Sequence, residues 1–290
     1  MKPEYDSTSE AFDYIAADYD SIYSPESNLA MAWMRKESLA LLRKTFPRGS
    51  RLLELGCGTG EEAIFLAKTG CEIVATDISP KMASITLQKV MDQKLDHRIQ
   101  IAVLPAGMLD KLQPPQSFDG AYASFGVLNC EPNLHAVGKA LAHLIRPGGL
   151  FLTSVMGQTS LFEIAWYLLN LQPGRAFRRL QKGWHLAPVA GDDGRKVVVP
   201  TRYLKSSQII EAFPGFALKH IMALPLFLPP PYAASLWKKH PRFFRLMERA
   251  EFRFHKKWPW YFLGDHTVFV LRRQPNQVYY NNLADDSKHT

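Results

Sequence analysis

Leu52-Leu-Glu54-Leu-Gly56-Cys-Gly58-Thr-Gly60 decides the fold: a short apolar run breaks into three glycines at alternate positions and opens onto helically spaced residues 61–68. Glycine permits positive φ and lets backbone approach a ligand closely, and the helix start presents unpaired N–H groups to a negative group. Seventeen residues beyond Gly60, at the end of the next apolar run, stands Asp77, placed to accept hydrogen bonds from two ribose hydroxyls. Loop and acid face one crevice, which suits a nucleotide-type ligand. A dinucleotide fingerprint needs a third glycine where this chain has Glu61, and no GxxxxGK[ST] run occurs, so pyrophosphate and P-loop chemistry are excluded. Glu54, at the strand end, adds a second acid and suits a ligand carrying an ammonium group.

Outward from this loop, residues 51–155 alternate short apolar runs with amphipathic stretches, the pattern of βα units feeding a parallel sheet. Strands are expected at 51–55, 72–76, 99–104, 118–124 and 150–155, and helices at 61–68, 80–94 and 133–145. Pro80 after Ser79 is a capped helix start, and Pro147-Gly-Gly149 turns into the fifth strand. Before this block, residues 1–50 form a helical cover, with two helices between Ala11 and Phe46. After it come an insertion at 156–205 with a Gly191-Asp-Asp-Gly194 turn beside Val197–Val199, then the remaining core at 206–273. That last part holds a helix at 206–213, strands at 216–224 and 267–271, and a second insertion at 225–263; a polar tail follows from 274 to 290.

The chain has 290 residues, 47% hydrophobic and 21% charged, which excludes disordered and integral-membrane classes. Its net charge of +8 permits an anionic partner. Cys57, Cys71 and Cys130 show no CxxC spacing, so neither a disulfide framework nor a metal site is expected. The first ten residues lack an apolar signal core, and no apolar run approaches the roughly 20 residues of a spanning helix, so a cytoplasmic location is expected.

Glu54-Leu-Gly-Cys-Gly-Thr-Gly60, Asp77-Ile-Ser-Pro80 with Met82, Ser117-Phe-Asp119 and Arg146-Pro-Gly-Gly149 together resemble the class I S-adenosylmethionine-dependent methyltransferases. The resemblance implies a Rossmann-like doubly wound α/β sheet of seven strands, order 3-2-1-4-5-7-6, the seventh antiparallel, with insertions after the fifth and sixth strands. It also implies S-adenosyl-L-methionine as the methyl donor. On that pattern Gly56, Gly58 and Gly60 would pass under the methionine moiety, Asp77 would hold the ribose, and Ile78 and Met82 would pack the adenine. Where the family usually has an acid after the third strand, this chain has Pro105-Ala-Gly107-Met108, so Gly107 departs from the pattern and the Met108 amide is left to meet the adenine edge. Ser124 would lie under the donor methyl, and Tyr19 resembles a tyrosine that closes over the cofactor, with core packing as its alternative role.

The acceptor is approached by elimination. No [DN]PPY follows the fourth strand, Pro229-Pro-Pro-Tyr232 lies in the late insertion, Cys130 is not preceded by proline, and only Glu131 stands where arginine methyltransferases carry paired glutamates. A small-molecule acceptor remains, with oxygen favoured and nucleic acid disfavoured. Aromatics of the insertions, among them Trp166, Trp184 and Trp260, suit a pocket for an apolar or ring-bearing acceptor, or the insertions' own core. His185 and His266 are the base candidates, each with a structural role as its alternative. Residues 238–257 carry eight basic and two acidic residues. As a helix they would place Phe243, Leu246, Met247, Ala250 and Phe254 on one face and Arg245, Arg249, Arg253 and Lys257 on the other. A pocket lid, a membrane-surface contact for a lipid or quinone acceptor, and an RNA contact all fit such a segment. A cofactor-binding protein without turnover is the remaining alternative. No pattern specifies an oligomeric state.

Overall fold

The computed structural model describes residues 4–112, 114–190, 196–233, 235–239 and 241–275. The Gly191–Gly194 turn and most of the 274–290 tail fall outside them. In chain order the elements are α1 (Tyr5–Ile15), α2 (Tyr19–Ile22), α3 (Leu29–Thr45), β1 (Arg51–Leu55), α4 (Glu61–Lys68), β2 (Glu72–Asp77) and α5 (Pro80–Asp92). Then come β3 (Ile99–Val103), β4 (Phe118–Ala123), α6 (Leu134–Leu144), β5 (Ile145–Met156), α7 (Leu161–Leu169) and α8 (Pro173–Ala176). The chain continues with β6 (His185–Ala190), β7 (Lys196–Thr201), α9 (Ser206–Ala212), β8 (Phe216–Leu224), α10 (Ser235–Lys239), α11 (Pro241–Phe254) and β9 (His266–Arg273).

Seven strands pair in the order β3-β2-β1-β4-β5-β9-β8. Strands β1 to β5 pair in parallel, while β9 runs antiparallel to both β5 and β8. With the separate β6–β7 hairpin set aside, this is the Rossmann-like order expected from the sequence. The order reverses between β1 and β4, and ligands bind such sheets outside the carboxyl ends of the strands at that point. Alternation along β1 builds both layers. Leu53 enters a core with Val137 and Leu141 of α6, while Leu52 enters another with Leu42 of α3 and Leu66 of α4. Each leucine so buried contributes about 1.5–3 kcal/mol.

Several local features depart from expectation. The amino-terminal cover has three helices rather than two, because α1 begins at Tyr5 and a short α2 follows it. β5 reaches back through Pro147-Gly-Gly149 to pair Ile145 with Phe118, and a register shift between Phe118 and Gly120 absorbs the turn. Val197–Val199, expected as the flank of a turn, form part of β7, paired across to β6.

In α11 the inward residues are Phe244, Met247, Glu248 and Glu251, whereas Phe243 and Leu246 stand exposed beside Arg245 and Arg249. The expected basic face of Arg245, Arg249, Arg253 and Lys257 is exposed and Met247, Ala250 and Phe254 are partly buried, but Phe243 and Leu246 are not, the inward side being shared with two glutamates that have partners there. Glu248 accepts the Trp33 indole N–H at 2.9 Å, and Glu251 accepts the amides of Leu226 and Phe227 at 2.6 and 2.8 Å. Among the described residues no helix is long and apolar enough to cross a membrane.

Candidate functional site

One cavity of about 1230 Å³ opens at the carboxyl ends of β1, β2 and β4. A drug-sized ligand occupies a pocket of about 300–1,000 Å³, so there is room for two small molecules. At one end the Asp77 carboxylate is fixed by backbone: Gly58 N–H donates to Oδ2 at 2.7 Å and Ser79 N–H to Oδ1 at 2.8 Å. Burial pushes this carboxyl up to about 6, against the lowering effect of those amides. Gly58 has φ +54°, and a Cβ there would project into open space beside the cavity. The cover helices are fastened to this end. Thr59 donates to Asp20 of α2 at 2.6 Å, and Ser9 of α1 donates to the Ile78 carbonyl at 3.0 Å. Tyr19 lines the cavity with its ring 4.7 Å from Tyr23, and burial raises its phenol above the ordinary range.

Beyond Asp77 the wall is formed by Ile78, Met82, Leu104, Ala106 and Glu131. The acid missing after β3 has a counterpart here. Glu131, in the loop after β4, accepts Gly107 N–H at 2.9 Å, Tyr5 O–H at 2.8 Å and Asn133 N–H at 2.7 Å. A Cβ on Gly107 would lie 2.7 Å from Glu131 Oε1 and closer still to the Tyr5 hydroxyl, so a larger residue there would displace those two side-chain ends. On the opposite side, Arg35 and Glu62 face the cavity with Nε and Oε1 3.6 Å apart. Glu54 lies just behind, its carboxyl raised well above the usual range by burial and then by the Glu62 charge.

At the other end a buried chain of charges converges. Arg178 and Arg179 share Glu163 of α7, at 2.6 and 2.8 Å from their Nε atoms. Arg179 also donates to Asp265 Oδ1 at 2.5 Å, and Asp265 Oδ2 is 2.9 Å from His266 Nδ1. Burial alone would raise Asp265, but Arg179 and His266 hold it well below the usual carboxylate range. The His266 ring meets Phe125 edge-on at 6.4 Å, directly after β4. His185 lines the same cavity in a more exposed place, with Nε2 3.1 Å from the Gln181 carbonyl. Three rings of the cap are covered by its own arginines: Arg178 over Tyr167, Arg179 over Tyr203 and Arg202 over Trp184, at 5.7, 4.9 and 4.9 Å. Asn129 ties this end to the sheet. It donates to the carbonyls of Met156 and Arg202 and accepts Met156 N–H, at 2.9, 2.7 and 2.8 Å.

Of the residues expected at a cofactor site, Tyr19, Gly56, Gly58, Asp77, Ile78, Met82 and Ser124 border the cavity. Glu54, Gly60, Gly107 and Met108 stand behind its wall, where Gly60 packs on Thr86 and Met108 N–H is taken by the Pro105 carbonyl. Sequence reasoning missed Arg35, Glu62, Arg179 and Asp265, and gave Glu131 no role. Only Asp265 carried a signal, as the neighbour of His266.

A glycine cradle, a pinned carboxylate and a sheet that reverses its order at β1/β4 define a nucleoside-binding crevice of the Rossmann-like type. Residues 53–151 match the family model described as a methyltransferase domain. This methyltransferase-domain match and the strand order support the resemblance to class I S-adenosylmethionine-dependent methyltransferases. It is 31% identical to a ubiquinone biosynthesis O-methyltransferase of Xylella fastidiosa over 47% of this chain and 53% of that one. It is 30% identical to a demethylmenaquinone methyltransferase of Bacillus licheniformis over 52% and 63%. The chain thus spans little more than half the length of these two relatives. Among solved structures, the CcbJ methyltransferase of Streptomyces caelestis shares the fold, with a TM-score of 0.62 at 17% identity over 93% of this chain and 100% of that one.

The residues present fit S-adenosylmethionine. Glu54 Oε2, Arg35 Nε and Ser124 Oγ are buried without hydrogen-bond partners among the described residues, and the Gly58 side of the loop is open to the cavity.

Proposed function

We propose that the chain transfers the methyl group of S-adenosylmethionine to a hydroxyl oxygen of a small apolar or ring-bearing acceptor, with His266 as the general base. The observation that carries this reading is the Asp265–His266 pair, facing the same cavity as Gly58 and Asp77. When bound, S-adenosylmethionine supplies an electrophilic methyl on a sulfonium, displaced in line to leave S-adenosylhomocysteine. Asp77 would hold the ribose, Ile78 and Met82 would pack the adenine, Glu131 would supply the acid at the adenine end, and Arg35 would pair the methionine carboxylate. Asp265, ionised and held by Arg179, accepts a hydrogen bond from His266 Nδ1–H and so leaves Nε2 to take the acceptor's hydroxyl proton.

Burial pushes the Cys130 thiol up to about 11, so it stays protonated at neutral pH and is poorly suited to act as a nucleophile. Similarity to a ubiquinone biosynthesis O-methyltransferase supports oxygen as the methylated atom, and similarity to a demethylmenaquinone methyltransferase supports a quinone-like ring in the acceptor.

Labelled S-adenosylmethionine given to the protein with cell extract is expected to place label in solvent-extractable ethers. His266→Asn is expected to lower turnover by about 10²- to 10⁴-fold while the dissociation constant for S-adenosylhomocysteine stays unchanged. Label entering RNA or protein would overturn the acceptor class, and full turnover by His266→Asn would remove the base.

A further inference from the structure

We infer that the outer face of α11 docks the protein on an anionic membrane surface. The inference is independent of the methyl-transfer reading, since α11 contributes nothing to the cavity wall. Its basis is the sorting of charge across the helix. Both acids of α11 turn inward, Glu248 to Trp33 and Glu251 to the amides of Leu226 and Phe227. Glu37 of α3, whose carboxyl is raised by burial, lies in the same seam, near Glu248 and Lys256. What remains outside is Arg242, Arg245, Arg249 and Arg253, continued by Lys256 and Lys257, all exposed.

Apolar side chains stand among these cations instead of under them: Phe243 is 54% exposed, Leu246 57%, Phe252 50% and Trp258 75%. Helical spacing puts Arg242, Leu246, Arg249 and Arg253 on one stripe, with Phe252 along one side and Phe243 along the other. A helix lying in a bilayer interface needs that interleaving, because arginine stems snorkel to phosphates while rings and leucine enter the acyl boundary. A nucleic acid would reward the arginines but leave Leu246 in water. The second insertion also reaches the cavity rim, where Asn28 donates to the Pro231 carbonyl at 3.2 Å and both residues border the opening.

The test is co-sedimentation of the full chain with phosphatidylglycerol/phosphatidylcholine vesicles against pure phosphatidylcholine, at about 0.1 M salt. Binding is expected to the anionic vesicles only. Arg245→Ala/Arg249→Ala/Arg253→Ala should lower partitioning about a hundredfold, and Phe243→Ser/Leu246→Ser/Phe252→Ser should lower it at unchanged charge. Calorimetry with S-adenosylhomocysteine on each variant checks that the fold is intact and reports separately on the cofactor site. Wild-type protein left in the supernatant, or apolar variants that bind as well as wild type, would overturn the inference. So would tighter binding to RNA than to vesicles.

Discussion

At the glycine end of the cavity the groups that leave a motif in the chain are a backbone amide and a carboxylate, Gly58 and Asp77, drawn together over 19 residues. At the histidine end the groups are side chains, and Arg179 reaches Asp265 across 86 residues. The first arrangement is local. It needs residues that turn tightly and an acid at a strand end, so it leaves a motif in the chain. The second depends on an insertion folding back over the sheet, and its members carry no spacing relative to one another. One end is therefore set by local geometry that leaves a motif, and the other by long-range packing that leaves none.

The contrast can be broken most forcefully at Arg179. Arg179→Met leaves Glu163 and Asp265 buried without their shared guanidinium, and is expected to destabilise the fold by about 3–5 kcal/mol in chemical denaturation. A loss below about 1 kcal/mol would show that the cluster is already hydrated and that Asp265 is not held by it. A smaller effect is expected at the glycine end. Asp77→Ala should weaken S-adenosylhomocysteine binding by about 1–3 kcal/mol with little change in turnover at saturation. An unchanged dissociation constant would remove Asp77 from the ribose.

The smallest effect is a pH dependence. The Asp77 carboxyl lies at about 6 in the folded chain against an ordinary 3.8. The ionised form is the better acceptor for ribose hydroxyls, so S-adenosylhomocysteine affinity should fall as pH drops through about 6. Stability of the free protein runs the other way. A folded value raised above the unfolded one gives a contribution that is full below the unfolded value and is lost as pH rises through about 6. Asp77→Asn should flatten that component of both profiles; a persistent inflection near 6 would assign it to another group.

The same contrast explains what could be read from the chain. The strands of the parallel block and the helix at 61–68 were legible because apolar periodicity and glycine punctuation are local signals. The faces of α11 were not, since Phe243 and Leu246 keep core-like spacing while the burial of Glu251 depends on amides 24 and 25 residues away. Gly107 was visible as a gap, but its filler is not: Glu131 lies 24 residues further on and reaches back through a turn that periodicity does not encode. His266 was legible as a residue type, while its competence comes from Asp265 and, through it, from Arg179.

Asn129 commits both ends of its amide to backbone, to Met156 in both directions and to the Arg202 carbonyl. Its own carbonyl takes the Arg202 N–H at 2.9 Å. The floor after β4, the end of β5 and the root of the β6–β7 hairpin are thereby riveted into one plate. On the proposed reading, exchanging cavity-facing residues of the hairpin, such as Leu186 or Val199, would retune which acceptor is admitted without tilting the surface beside the donor site.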